Sequence, residues 1–438
     1  MIRTKHNIDT RLVNFFISGN NFDESINNAL IEWYGALDDK DHQKTRDKAI
    51  RFLSELSNEV LSVIDYPTNE RKNLIGIFEP LERLLRTAIS LKDFGPEEPE
   101  NVRDHLSHTV RIVLFTNFLL TQHKLGNKSK LIKQLFIAAI FHDIAYPLEK
   151  LKKVAKKLGD ATFKHLLNSS GKIEIELDNP DDLLEMLNFF GEFVNKLEDK
   201  KIDLIAKKRI LKTESSIQSV ENELKKLKLS IYKVQHIYKE IISPAIAGQG
   251  LFHSSHSISS IVLFLRPIIK HWRDSDTYQA LNFDTIADIC LAMTYHDRKN
   301  NPKKLKCEIP EILKIIRISD ELQEWDRENG SFFKDVIIQN DPSHILSLKI
   351  IMKDKSEKDL CKPELVIPHK IKGILPVIPN GSIKLSFEFP RMFGDKQILR
   401  DNLKDEGIFP LHYKILGNGE SKDLDLIFKD SKAQIIFK

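Results

Sequence analysis

Thiols are scarce in this chain. Three cysteines in 438 residues, Cys290, Cys307 and Cys361, form no CxxC pair. That excludes a thiolate zinc site and a disulfide framework, and a reducing compartment fits best. Charge of one sign is also in short supply. Sixty-seven basic residues against 63 acidic ones leave a net charge of +4, too little for nucleic-acid binding by bulk charge. Any electrostatic function must rest on local clusters. Long apolar runs are missing as well. No stretch approaches ~18 uncharged apolar residues, so neither a transmembrane helix nor a membrane partner is expected. The opening segment MIRTKHNIDTRLVNFF lacks the uninterrupted apolar core of a signal peptide. A cytoplasmic protein is the expectation. There is no internal repeat.

What the chain does have is enough apolar residue, 41%, for a sizeable core, and a length that allows two or three domains. Residues 1–95 carry apolar positions at helical spacing, as in LIGIFEPLERLLRTAISL. FGPEEPENVRD (94–104) reads as a linker, with Asp104 as the N-cap of the next helix. Residues 96–334 form a second helical region, interrupted at about 148–245 by an insertion whose Lys/Glu-rich part, about 196–241, reads as a solvated helical arm or hairpin. From about 335 the period changes to two. HILSLKIIMK, SIKLSFEF, HYKIL, LDLIF and AQIIF read as strands of a small antiparallel β domain over 335–438. PNG (379–381) and GNG (417–419) read as hairpin turns. The fold class is therefore mainly α, a helical bundle with a long helical insertion, followed by that β domain.

The chemistry concentrates at FHDIAYP (141–147), which follows the apolar run LIKQLFIAAI. A His–Asp pair at the end of a core helix needs partners, because a buried charge is costly alone. Pro147 is expected to end that helix. Further histidines and carboxylates lie on or at the ends of other apolar-striped helices: His105 and His108, His253 and His256, His296 with Asp297, and Asp320. Mixed imidazole and carboxylate donors without thiolate suit Mn, Fe, Mg, Ni or Zn. A site of this kind with room for water is hydrolytic, because the metal lowers the pKa of bound water.

In this order, His108 in SHTVRIVLFTNFLL, His142 and Asp143 in FHDIAYP, His256 in HSISSIVLFL, His296 in MTYHD and Asp320 in IIRISDELQEW, the chain resembles the HD-domain superfamily of metal-dependent phosphohydrolases. The resemblance covers roughly 100–146 and 246–330. It implies an HD-type bundle holding one or two divalent ions per chain. His108, His142, Asp143 and Asp320 would hold the first ion. Asp143, also the catalytic residue, would bridge to a second ion completed by His256 and His296. His253 is an alternative ligand to His256, since both share one helical face. His105 is a helix-start residue or a partner that orients a ligating imidazole. The HHExxDGxGYP signature of cyclic-di-nucleotide phosphodiesterases is missing, and no lysine closely follows the HD pair; the first is Lys150.

Arg111, Arg298, Lys299 and Arg317 are candidates for gripping substrate phosphate. Arg111 and Arg317 have ion-pair partnership as an equal alternative, and the basic run 297–306 has a solvated loop as its alternative. Gln323 and Glu324 are assigned to a pocket mouth or the surface, and Asp297 to an incidental role. The function this implies is hydrolysis of a phosphoester or phosphoanhydride in a phosphorylated small molecule, a nucleotide by family resemblance. Two alternatives differ in class. One is an HD-type nuclease, with nucleic acid as partner along the insertion and the 298–306 loop. The other is a non-catalytic nucleotide sensor or scaffold. The insertion also offers a homodimer contact.

Overall fold

The computed structural model describes residues 7–19, 22–39, 41–78, 80–81, 83, 105–122, 128–149, 180–243, 255–274, 282–297, 302, 305, 309–323, 333–339, 346–352, 383–388, 414–417, 420–429 and 432–437. Eleven helices occur among them: α1 Asn7–Gly19, α2 Glu24–Ala36, α3 His42–Val60, α4 Arg71–Ile75, α5 His105–Gln122, α6 Lys128–Phe141, α7 Pro180–Ile210, α8 Glu214–Ile237, α9 His256–Asp274, α10 Phe283–Tyr295 and α11 Glu311–Leu322. Six strands follow: β1 Phe333–Ile338, β2 Leu346–Met352, β3 Ile383–Glu388, β4 Lys414–Gly417, β5 Glu420–Lys429 and β6 Lys432–Phe437. The protein is mainly helical with a small sheet, as its periodicity indicates.

The chain forms two compact units that interleave in sequence. One joins Met1–Ser57, Glu97–Ile140 and Arg298–Lys438; the other joins Asn58–Pro96 and Phe141–Asp297.

In the first unit the core is built on α5, whose residues 105–120 are all buried. A helix apolar nearly all round must sit inside other elements. α2 buries Ile26, Ala29, Leu30, Trp33 and Ala36, the three- and four-residue spacing of one face. Phe16 of α1 lies 5.3–5.8 Å, centroid to centroid, from Phe22, Phe52 and Phe136. Arg111 of α5 is buried against α1. Its Nε and Nη2 donate to Asp9 Oδ1 and Oδ2 at 2.8 and 2.9 Å, and its guanidinium sits 5.8 Å from the Trp33 ring centre. This is the ion-pair alternative for Arg111. Asp9 accepts from both of these donors, as an ion-pair partner does.

The sheet belongs to this first unit. Its order is β1-β2-β3-β6-β5-β4. It is mixed, whereas an antiparallel sheet was expected: β2 and β3 run parallel, Leu346 opposite Ile383, and the other neighbours are antiparallel. A parallel pair needs a crossover connection, and residues 353–382 separate the two strands in sequence. PNG (379–381) lies outside the described residues. GNG joins a hairpin, with Gly417 opposite Glu420 across the two-residue turn. β1 starts at Phe333, just before the expected boundary, and packs on α1, where the Arg11 guanidinium donates to Ile338 O.

In the second unit, α7 and α8 form a hairpin closed by Leu204, Val220, Leu227 and Ile231, with Leu197, Leu211 and Leu224 against them. The reading of a solvated hairpin holds for the outward faces only. The last turns of α8 bury Ile231, Val234, His236 and Ile237 and pack on α10. Polar links fasten them: Ser230 Oγ to Asp284 Oδ1 at 2.8 Å, Lys233 Nζ to Asp288 Oδ1 at 2.7 Å and to Asp284 Oδ1 at 3.6 Å, and His236 Nε2 to the Tyr295 hydroxyl at 2.6 Å.

Leu131–Glu149 reaches the length and apolarity at which a helix could cross a membrane, counter to the sequence expectation. It is 78% buried within the protein, which is how a core helix passes the same test.

Asp9→Ala is expected to cost about 3–5 kcal/mol, because it strands the buried Arg111 charge. Equilibrium urea unfolding measures this directly. Replacing both partners together, Asp9→Leu with Arg111→Met, is expected to recover most of the loss.

Candidate metal centre

Three helix ends deliver the site in the second unit. α6 stops at Phe141, earlier than Pro147, and His142 and Asp143 sit in the turn that follows. The turn forms because its amides find other acceptors: Ile144 N donates to Phe141 O, Tyr146 N to Asp143 O at 2.8 Å, and Ala145 N to Ser260 Oγ of α9 at 3.0 Å. Pro147 then falls inside a short helical turn, where its missing N–H costs nothing. His256 is the first residue of α9. His296 caps the C-terminus of α10, its amide donating to Ala292 O. Residues at helix ends project past the packed core, so the three can converge without breaking it.

They converge on one oxygen. Asp143 Oδ1 lies 3.1 Å from His296 Nε2 and 3.2 Å from His256 Nε2. His142 Nε2 lies 3.6 Å from Asp143 Oδ2, and its ring stands nearly perpendicular to that of His296, at 4.9 Å. The potential donor atoms of His142, Asp143 and His296 all lie within 4.8 Å of one another, and all three residues are buried. These residues form a His/Asp grouping that could bind a metal ion.

The tautomers sharpen this. His296 Nδ1 lies 2.6 Å from Met293 O, a carbonyl that can only accept, so Nδ1 carries the proton. The neutral ring then aims its Nε2 lone pair at a carboxylate oxygen. Two acceptors at 3.1 Å repel unless a proton or a cation lies between them. His256 repeats the arrangement, with Nδ1 held by Glu149 Oε2 at 2.7 Å and Nε2 toward Asp143. An imidazole whose outer N–H is held by a carboxylate or carbonyl while the other nitrogen faces a shared centre has the orientation of a metal ligand. Asp297 Oδ2 lies 3.8 Å from His256 Nε2, so Asp143, Glu149 and Asp297 all face this ring. A divalent cation bound here would offset that concentration of negative charge.

The first unit holds a pair of the same kind. His108 of α5 places Nε2 3.2 Å from Asp320 Oδ1 of α11, and its Nδ1 bonds Gln323 Oε1. The His105 ring lies one turn earlier, 6.3 Å from that of His108. His108 and Asp320 are thus a further pair of sequence-selected ligands brought together in the first unit.

Three residues carry more than the sequence reading assigned them. Glu149 was passed over. Gln323, read as lining a pocket mouth or lying on the surface, is buried against His108, and the signal was its i+3 spacing from Asp320. Asp297, read as incidental, faces His256. Arg317 is buried in α11. His253, Arg298, Lys299 and Glu324 lie outside the described residues. Cys290 is buried in α10 away from this grouping, and burial pushes its thiol up.

Comparison with known proteins adds one similarity. An uncharacterized lipoprotein of Mycoplasma mycoides subsp. mycoides SC is 27% identical over 160 residues. The match covers 34% of this chain, and the chain spans about a quarter, 27%, of that relative's length. No family model and no solved structure matches.

Without a metal, burial disfavours a charged His256, but Asp143, Glu149 and Asp297 outweigh it and hold the imidazole well above the usual histidine range. A raised folded-state pKa stabilises below the unfolded value of about 6.5 and loses that contribution as pH climbs through the folded value. Chelated protein should therefore lose stability as pH rises above neutral, and His256→Gln should flatten that trend in thermal melts. Metal uptake must displace the same proton, so metal affinity should rise with pH. Glu149→Gln should weaken metal binding roughly 10–100-fold by releasing the His256 ring, as read by competition with a chromogenic chelator.

Proposed function

We propose that this protein is a metal-dependent phosphohydrolase that cleaves a phosphoester or phosphoanhydride bond in a nucleotide-type substrate. The observation that carries the reading is the shared Asp143 oxygen, faced by two imidazoles whose outer nitrogens are fixed by Met293 O and Glu149. Such an arrangement orients both Nε2 atoms toward one point, where a divalent cation would displace the proton that His256 otherwise holds. The order of these residues along the chain supports the HD-type assignment, and the resemblance adds His108 and Asp320 to the same ligand set.

A divalent ion supplies hydroxide near neutral pH and offsets phosphate charge. The chain's own residues have separable tasks. Asp143 contributes the carboxylate between the imidazoles. His142, His256 and His296 supply neutral nitrogen donors. Glu149 holds the His256 Nδ1 proton so that Nε2 stays a donor to the ion, and Gln323 gives the same service to His108. The burial of His142, Asp143 and His296 keeps bulk water from competing for them. The absence of thiolate from the set favours hydrolytic over structural chemistry.

The test is metal analysis paired with turnover. Protein purified without chelator is expected to carry one or two transition-metal ions per chain. It is expected to hydrolyse a generic phosphodiester or a nucleoside triphosphate when Mn is supplied. Asp143→Ala should lose both metal and at least about a hundredfold in rate. Asp320→Ala, at full folding, should lower the metal content if His108 and Asp320 share the set. A wild-type protein that neither holds nor gains metal would overturn the reading.

A further inference from the structure

We propose that the outer face of α7 is a self-association surface, and that its occupant is a second copy of this chain laid antiparallel on it. The inward face of α7 is already used. Leu197, Leu204 and Leu211, seven residues apart, close against Val220, Leu224, Leu227 and Ile231 of α8. The opposite face should then be polar. Instead it exposes Ile202 and Ile210, 61% and 77% accessible, with Ala206 midway between them and Ile205 at the flank. Residues i, i+4 and i+8 of a helix form one stripe, so this is a connected apolar strip.

One exposed pair of charges beside the strip complements itself in one direction only. The acids Glu192, Glu198, Asp199 and Asp203 are interspersed with Lys196, Lys200 and Lys201, of which Lys201 pairs with Glu198 and Lys200 with Glu223, and the last turn carries Lys207, Lys208 and Arg209. Lys208 is bound within the hairpin, 2.6 Å from Glu221. Asp199 and Arg209 are exposed and make no ion pair among the described residues. An antiparallel partner centred near Leu204 sets Arg209 of one copy beside Asp199 of the other and Ile202 beside Ala206. A parallel partner would stack the basic turns on each other. The mixture of acids and bases also disfavours a polyanion, which needs a continuous basic track. The face is presented by a fixed element, because Ser230, Lys233 and His236 of α8 tie the hairpin to α10. A preorganised apolar strip flanked by opposite charges is how a two-fold helical interface is specified.

The experiment is sedimentation of the full chain over a wide concentration range, with four variants beside wild type. Wild type is expected to be a dimer. Ile202→Glu with Ile210→Glu should give a folded monomer. Asp199→Arg alone should weaken dimerisation on the order of tenfold by facing Arg209 of the partner copy. Arg209→Asp alone should do the same. Asp199→Arg combined with Arg209→Asp should restore the dimer, a rescue that misfolding cannot imitate. A monomeric wild type, or a dimer indifferent to all four changes, would overturn the proposal. So would a monomer that shifts single-stranded RNA through Arg209.

Discussion

A single carboxylate oxygen organises the second unit. Asp143 Oδ1 is approached by His256 from the start of α9 and by His296 from the end of α10. Burying that carboxylate is costly unless its lone pairs are met. The groups that meet it dictate where three helices must stop or begin. The turn after Phe141, the first residue of α9 and the cap of α10 are solutions to one electrostatic problem. Ser260, accepting the Ala145 amide, lets the turn exist in a buried setting.

The first unit solves a similar problem twice. His108 is set between Asp320 and Gln323, and Arg111, one turn on, is locked by Asp9 and covered by Trp33. One α5 segment thus carries a ligand-type histidine and a structural arginine three residues apart. Their different fates follow from which helix each side chain meets, α11 or α1. Buried charges of this kind constrain geometry more than they add stability.

The insertion is neither wholly solvated nor wholly core. Its hairpin closes on its own leucines, its base is fastened to α10 directly before His296, and its outer face keeps an apolar strip. The sheet lies in the first unit, where its β1 packs on α1.

Much of this was legible in the sequence. Period-two runs located five of the six strands, and GNG marked a true hairpin, because alternation and turn chemistry are local properties. The His and Asp residues stood out because polar residues at the ends of apolar helices need partners. What the chain could not disclose locally was decided by tertiary contact. The parallel pairing of β2 and β3 depends on a crossover, not on either strand's pattern. Glu149, Gln323 and Asp297 became partners of histidines only when distant segments met, and Arg111 met Asp9. Residue type and helical period are carried by neighbours in sequence. The choice of which nitrogen faces which oxygen is made across 102 to 215 positions of chain, where only the packed fold brings them together.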